Sequence, residues 1–225
     1  MNIYLDIETI PTQDQAVIDR IAEEITPPGS YKKQDTIDQW IAEQKPALVA
    51  EAVAKTSFDG ALGRIACASI AVDDGEPLTF YREDWQDERA ERMVLGDLFV
   101  AILDAAMDVT REPVFIGHNI VDFDLKFIFQ RAVILGIRPP TVIPFRAKPW
   151  GDQVFDTMTA WAGRDRVSMD KLCRALGLAG KGDIDGSKVW PMVQTGRIAE
   201  VAAYCADDVR RTRELYRRMT FAAAA

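Results

Sequence analysis

Two carboxylates near the start of the chain, Asp6 and Glu8, have a spacing that suits metal binding. They lie in a stretch of alternating apolar and polar residues, 2–8, which predicts a strand. Residues two apart on a strand project from the same face, so both carboxylates emerge together. Adjacent carboxylates repel each other unless a cation lies between them, and oxygen ligands suit Mg²⁺ or Mn²⁺. A strand end with two solvated acids would show the same pattern, and Asp-x-Glu alone does not separate the two interpretations.

A second pair of side chains, Tyr204 and Asp208, lies on the predicted last helix. Their spacing of four residues places them on one face of that helix, one turn apart. Asp207 points roughly 100° away from Asp208, so we expect it in solvent. A third segment, residues 117–124, reads Gly-His-Asn-Ile-Val-Asp-Phe-Asp and follows a predicted buried strand, which is where α/β folds build their sites.

The rest of the composition narrows the chemistry to carboxylates. His118 is the single histidine, which excludes a zinc site built on several histidines and weakens any serine–histidine–aspartate hypothesis. The three cysteines, Cys67, Cys173 and Cys205, share no metal-ligand spacing and are expected as small core side chains. The net charge of −8 argues against a nonspecific nucleic-acid coat protein. The arginines at 210–218 are expected mostly on a solvated face.

The order of patterns along the chain predicts an α/β fold with a mixed sheet. After the first strand, residues 13–60 are helical and polar, which we interpret as an insertion rather than a second domain. We therefore expect residues 1–225 to form a single domain, with a disordered tail at 222–225. The other predicted elements are a hairpin of strands at 64–72 and 78–82, helices at 88–107 and 122–135, a strand at 113–117, a short helix at 168–176 and a long helix at 198–219.

Together, these motifs resemble those of the DEDD superfamily of 3′→5′ exonucleases, in that family's order. They are Leu5-Asp6-Ile7-Glu8-Thr9, the block from His118-Asn119 to Phe123-Asp124, and Tyr204-Cys-Ala-Asp-Asp208. Position 203 is Ala, where the histidine variant would need His, so the chain is similar to the tyrosine (DEDDy) branch. The resemblance covers most of the chain and is to stand-alone predicted exonucleases related to the proofreading domain of B-family DNA polymerases. It implies an RNase H-like mixed β-sheet flanked by helices.

The resemblance also implies roles for the motif residues. Asp6, Glu8, Asp124 and Asp208 would hold two divalent ions, Mg²⁺ or Mn²⁺, with Asp6 shared between the two. Tyr204 would orient the attacking water, because a tyrosine with a pKa of about 10 is a poor base at neutral pH. The implied reaction releases nucleoside 5′-monophosphates from 3′ ends of single-stranded DNA, so the implied partner is nucleic acid.

Several further residues are candidates for substrate contact. Asn119 and Phe123 lie in the middle motif, and Lys181 lies in a glycine-rich segment. Lys181 is followed by Gly rather than Ser or Thr, so the segment is not expected to be a nucleoside-triphosphate loop, and a flexible loop without substrate contact is the alternative. Asp156 occupies a position where related exonucleases carry a structural or near-site Asp. Asp122 is expected to be a surface or capping residue.

Two other hypotheses of function remain open at this point. An RNA 3′ exonuclease would use the same site, because no motif reports on recognition of the 2′-OH. A catalytically silent nucleic-acid-binding module is disfavoured because all four acids and the tyrosine are present. No stretch approaches the roughly 20 apolar residues that a membrane helix needs, and no basic leader is evident, so we expect a cytoplasmic protein without a membrane partner. The oligomeric state and the role of residues 13–60 do not follow from the sequence.

Overall fold

The computed structural model describes residues 1–107, 112–180 and 185–222, and a five-stranded mixed sheet lies at its centre. The strands are β1 (Asn2–Ile10), β2 (Arg64–Val72), β3 (Leu78–Tyr81), β4 (Val114–Gly117) and β5 (Val154–Asp156), in the order β3-β2-β1-β4-β5. β1 pairs antiparallel with β2 and parallel with β4. β2 and β3 form the predicted hairpin, and β4 pairs parallel with β5. The mixed α/β sheet expected from the sequence is confirmed.

Helices flank this sheet, and three of them lie between β1 and β2. These are α1 (Gln15–Glu24), α2 (Gln34–Glu43) and α3 (Lys45–Lys55), followed by a short 3₁₀ helix (Thr56–Phe58). The others are α4 (Ala90–Met107), α5 (Asp124–Leu135), α6 (Thr157–Ala162), α7 (Met169–Ala175), α8 (Gly186–Gln194) and α9 (Ile198–Met219). The helical insertion after the first strand is therefore confirmed. Within the described ranges, no helix combines the length and the apolar character needed to cross a membrane.

The two faces of β1 pack against different helices. Ile3, Leu5 and Ile7 share a core with α4 and α5. On the opposite face, Tyr4 and Ile10 pack against α9 in two separate apolar clusters. The alternation predicted for residues 2–8 is confirmed, but both faces of the strand are covered rather than one.

The insertion between β1 and β2 contacts the sheet mainly through its last turn, the 3₁₀ helix. Of the residues in α1, α2 and α3, all within the described ranges, Trp40 is the buried one. The chain then returns to β1 through the 3₁₀ helix. The backbone N–H of Thr12 donates to the Thr56 hydroxyl over 2.8 Å, and the Thr9 hydroxyl donates to the Ser57 carbonyl over 2.7 Å. The last turn of the insertion is thus fixed beside the carboxyl end of β1.

Three elements were not predicted, namely β5, α6 and α8. The first two are short, three and six residues, and offer little periodicity. α8 begins at a glycine and contains Pro191, both signals that normally argue against a helix. Asp185 caps this helix by accepting from the Ser187 backbone N–H over 2.9 Å, so a local hydrogen bond outweighs the unfavourable propensity.

The arginines of α9 divide between a solvated face and a contact with the sheet: Arg210 and Arg218 are exposed, as expected, whereas Arg213 is not. Arg213 is buried, with 9% of its surface exposed, and donates to the backbone carbonyl of Gly75 over 2.6 Å. Arg217 pairs with Asp74 over 2.5 Å, in the same turn between β2 and β3. The arginines hold this hairpin turn against α9, because the turn exposes both carbonyl groups and carboxylates to them.

Candidate active site

Three of the predicted metal ligands come together in the structure. Ligand oxygens of Asp6, Glu8 and Asp208 all lie within 4.8 Å of one another. Asp6 and Glu8 project from β1 and are partly exposed, whereas Asp208 projects from α9 and is buried. They occupy the stretch of the β1–α9 interface between the two apolar clusters that contain Tyr4 and Ile10. Neighbouring packing therefore fixes the strand and the helix on both sides of the carboxylates.

The fourth predicted ligand, Asp124, lines the same cavity, which has a volume of about 510 Å³. It is the first residue of α5 and is 3% exposed. Its Oδ1 accepts the backbone N–H of Ile7 over 3.1 Å, which holds the carboxyl against β1. Burial, and then the charge of Asp6, raise the pKa of Asp124 well above its ordinary value. Without a cation, ionisation of this carboxyl is therefore less favourable than that of an exposed aspartate.

Asp122 is a surface residue, as expected, but it neither caps α5 nor pairs with Lys126, four residues further along the chain. Its side chain is exposed, and the residue at the cap position of α5 is Phe123. Among the ion pairs of the described residues, none joins Asp122 to Lys126. The helix begins two residues later than predicted, so Asp122 lies outside the turn in which a cap or an i,i+4 pair could form.

Tyr204 lines the cavity beside the acids and is 6% exposed. Burial raises the pKa of its hydroxyl far above the ordinary value, and the charges of Asp208, Glu8 and Asp6 raise it further. The hydroxyl also hydrogen-bonds to Asp208. Tyr204 therefore keeps its proton at neutral pH and can act as a hydrogen-bond donor but not as a base.

The single histidine also lines the cavity, but both of its ring nitrogens are engaged. His118 Nδ1 lies 2.9 Å from the Thr157 hydroxyl, and Nε2 lies 2.9 Å from the Val167 carbonyl. The ring joins the end of β4 to α6 and to the segment before α7. His118 thus hydrogen-bonds through both ring nitrogens, which leaves neither of them available to serve as a general base.

The remaining candidates separate into different environments. Phe123 lines the cavity.

Asn119 adopts a left-handed backbone conformation with φ of 66°, and its N–H donates to Asp156 Oδ1 over 3.0 Å. Asp156 is 1% exposed and also caps α6 through the backbone N–H groups of Met158 and Thr159. Asp156 thus shapes the turn that leads to Asp124, while neither it nor Asn119 is among the described residues that line the cavity. Lys181 lies outside the described residues.

The structure adds cavity residues that the sequence patterns did not reveal. Ser57 and Phe58, at the end of the insertion, line the cavity, and nothing in their local sequence signals this position. Cys205 Sγ lies 3.3 Å from Asp6 Oδ2, so this cysteine supports a carboxylate as well as filling the core. Arg211 Nη1 pairs with Asp208 Oδ1 over 2.8 Å. The Arg211–Asp208 pair could have been predicted from the sequence, because residues three apart on a helix are neighbours.

The donor set fits hard divalent cations. The cavity is lined by six carboxylates and, among the described lining residues, by no lysine or arginine; the acids are Asp6, Glu8, Asp124, Asp170, Asp185 and Asp208. Packing like charges together in a half-buried cavity is unfavourable unless protons or cations neutralise them. Carboxylate oxygens are ligands that Mg²⁺ and Mn²⁺ prefer. The carboxylates lining the cavity could thus hold such cations, which would reduce their repulsion of a negatively charged substrate.

Comparison with known proteins identifies a family that matches most of the chain. The sequence profile of a family described as predicted 3′-5′ exonucleases related to the exonuclease domain of PolB matches residues 61–225. The matched range contains Asp124, Tyr204 and Asp208 but not Asp6 and Glu8. No curated protein matches the chain.

Two solved structures give matches of different strength. The family B DNA polymerase from the archaeon Pyrobaculum calidifontis is 16% identical with a TM-score of 0.59; the match covers 97% of this chain and 24% of that one. This likeness supports the expected RNase H-like fold. The Pan2 UCH-Exo module from Saccharomyces cerevisiae, solved with AAGGA RNA, is 14% identical over 98% of this chain and 29% of that one. Its TM-score of 0.47 is too low to support an argument. The chain thus spans about a quarter of the length of each of these two structures.

Proposed function

Since the chain belongs to the family of predicted 3′-5′ exonucleases related to the exonuclease domain of PolB, we propose that it hydrolyses the last phosphodiester bond at 3′ ends of single-stranded DNA. The products would be nucleoside 5′-monophosphates and a strand one nucleotide shorter. The observation that carries this proposal is the close approach of Asp6, Glu8 and Asp208 in a cavity with six carboxylates. In this proposal, residues 1–225 act as one exonuclease domain, with the site formed between its first strand and its last helix.

The four motif carboxylates would together coordinate two divalent ions; these are Asp6, Glu8, Asp124 and Asp208. Asp6 belongs to the three-acid group and is also the charged neighbour that most raises the pKa of Asp124. It is therefore the acid suited to be shared by the two ions, and Glu8, Asp124 and Asp208 would complete the ligand set. When bound, the ions would neutralise the scissile phosphate and lower the pKa of a bound water. The Cys205 thiol, close to Asp6 Oδ2, would steady the shared carboxylate.

Tyr204 would orient the attacking water through its hydroxyl oxygen, which can accept a hydrogen bond while the hydroxyl hydrogen is donated to Asp208. In the metal-free protein, burial raises the pKa of this hydroxyl, so we assign the side chain to positioning the water rather than to proton abstraction. Its burial and its bond to Asp208 hold the hydroxyl at a fixed place beside the acids, which is what orientation of a nucleophile requires.

We expect Tyr204→Phe to lower kcat roughly 10²–10⁴-fold, by analogy with acid–base contributions, because only the hydroxyl is lost. Metal affinity should change little, since the four carboxylates remain. Single-turnover cleavage of a 5′-labelled oligonucleotide measures the first effect, and calorimetric titration with Mn²⁺ measures the second. A folded variant with unchanged kcat would remove Tyr204 from the reaction.

The function itself is tested with matched 5′-labelled DNA and RNA oligonucleotides in Mg²⁺, in Mn²⁺ and in excess EDTA. We expect a ladder of progressively shorter labelled DNA with either metal and no cleavage with EDTA, because the cavity depends on cations to admit a phosphate. Equal cleavage in EDTA would contradict the two-metal mechanism. Faster shortening of RNA would reassign the substrate, and binding without cleavage in any metal would indicate a silent module.

A further inference from the structure

Aromatic side chains form part of the lining of the acid-rich cavity. Phe58 and Phe123 both line it, together with the carboxylates. Phe58 is 73% exposed. Other aromatic side chains in the described ranges are as exposed, such as Trp150 at 78%, but Phe58 is the one of them that lines this cavity. A large apolar ring facing solvent inside a charged cavity contributes nothing to the core and is typical of a binding surface.

The position of Phe58 is fixed by its neighbours. The Thr9 hydroxyl holds the Ser57 carbonyl at 2.7 Å, and Thr9 follows Glu8 directly on β1. The Asp59 N–H donates to the Thr56 carbonyl over 3.0 Å, which closes the turn around Phe58. The backbone that carries the ring is therefore anchored within one residue of a proposed metal ligand, even though α1, α2 and α3 bury little surface.

The negative charge of the cavity limits which interactions can bind a nucleotide there. Without lysine or arginine among the described lining residues, cationic side chains there do not supply affinity for the sugar–phosphate strand. The face of an aromatic ring does not depend on charge, and every nucleobase offers a π-face to stack on it. The cavity volume of about 510 Å³ is within the range of small-molecule sites and suits a nucleotide.

We propose that Phe58 stacks on a base at the 3′ end of the substrate strand while the neighbouring phosphate lies at the carboxylates. This inference rests on the proposed exonuclease function and deepens it. It assigns the insertion at 13–60 to substrate recognition, because the last turn of the insertion supplies the ring. Stacking depends little on base identity, so the Phe58 contact would bind any of the four bases without selecting among them.

The test compares Phe58→Ala with wild type on two 5′-labelled DNA oligonucleotides. One carries ordinary bases throughout, and the other carries abasic tetrahydrofuran residues at its last two 3′ positions. We expect Phe58→Ala to lower kcat/KM about 10- to 100-fold on the first substrate and less than about threefold on the second, since stacking is lost only where a base is present. Phe58→Trp should restore the lost activity. Trp150→Ala removes an equally exposed ring outside the cavity and should behave as wild type.

Fluorescence anisotropy in Ca²⁺ measures binding of the same oligonucleotides and gives a second readout that needs no turnover. Wild type should prefer the base-bearing strand, and Phe58→Ala should lose that preference. Equal losses on both strands, or no loss on either, would overturn the stacking role. A chain that cleaves neither strand but keeps the Phe58-dependent preference would refute the exonuclease function and leave stacking intact.

Discussion

Asp6→Ala is expected to lower kcat by more than about 10⁴-fold while leaving the protein folded. Asp6 belongs to the group of three acids whose oxygens lie within 4.8 Å, and its charge also acts on Asp124. Its loss would therefore weaken both proposed ion positions at once, whereas loss of an acid at the edge of the group would weaken one. The fold should survive, because the substitution also removes a charge that repels Glu8 and Asp208.

The matched control for this variant is Asp207→Ala. Asp207 lies next to Asp208 on α9, but its side chain is about half exposed and pairs with Arg210 over 2.8 Å. Exposed ion pairs contribute little, so this control should keep near wild-type cleavage and stability. Rates measured on a labelled DNA strand in Mg²⁺, with circular dichroism to confirm folding, separate the two variants. Wild-type turnover by Asp6→Ala would place the chemistry elsewhere.

Asp124→Asn is expected to abolish activity and, in the metal-free protein at neutral pH, to raise Tm. Asparagine has nearly the same shape and can still accept the Ile7 N–H through its amide oxygen. It loses the buried charge and the oxygen that would coordinate an ion. Asp122→Asn, two residues away and exposed, is the control and should leave activity within several-fold and Tm unchanged.

The gain in stability follows from the sign of the pKa shift. The pKa of Asp124 is higher in the folded protein than its ordinary value of 3.8. As pH rises above 3.8, the unfolded chain gives up this proton first, so the metal-free fold loses stability through that window. Asp124→Asn has no proton to lose, and its advantage over wild type should therefore grow with pH. Thermal melting in EDTA from pH 4 to pH 8 tests this, and a Tm below that of wild type at pH 8 would contradict it.

Much of the site could be predicted because its signals are local and periodic. Alternation along residues 2–8 placed Asp6 and Glu8 on one face, and the spacing of four placed Tyr204 with Asp208. Both pairs line one cavity, as expected. The separation of Asp124 from Asp122 came from the family resemblance, since both acids lie at the start of the same helix.

What could not be predicted depends on contacts between distant segments. Phe58 reaches the cavity because Thr9 holds Ser57, a contact across 48 residues. The arginines of α9 appeared solvated because helical spacing describes a helix alone, and the hairpin turn that Arg213 and Arg217 contact lies some 140 residues earlier. Periodicity does not report which surfaces meet, and such pairings are decided by the packing of the whole chain.

The position of the carboxylates between β1 and α9 also concerns how the molecule folds. Asp6 and Asp208 belong to the first strand and the last helix, so the ligand group is absent from a growing chain until α9 has been made and has docked. Contacts this far apart in sequence are costly to form early in folding. A cation that binds only the docked arrangement would add about 2.7 kcal/mol to folding stability at a hundredfold excess over its Kd. The proposed hydrolysis would then be withheld from incomplete chains, and the supply of divalent cations would affect folding as well as catalysis.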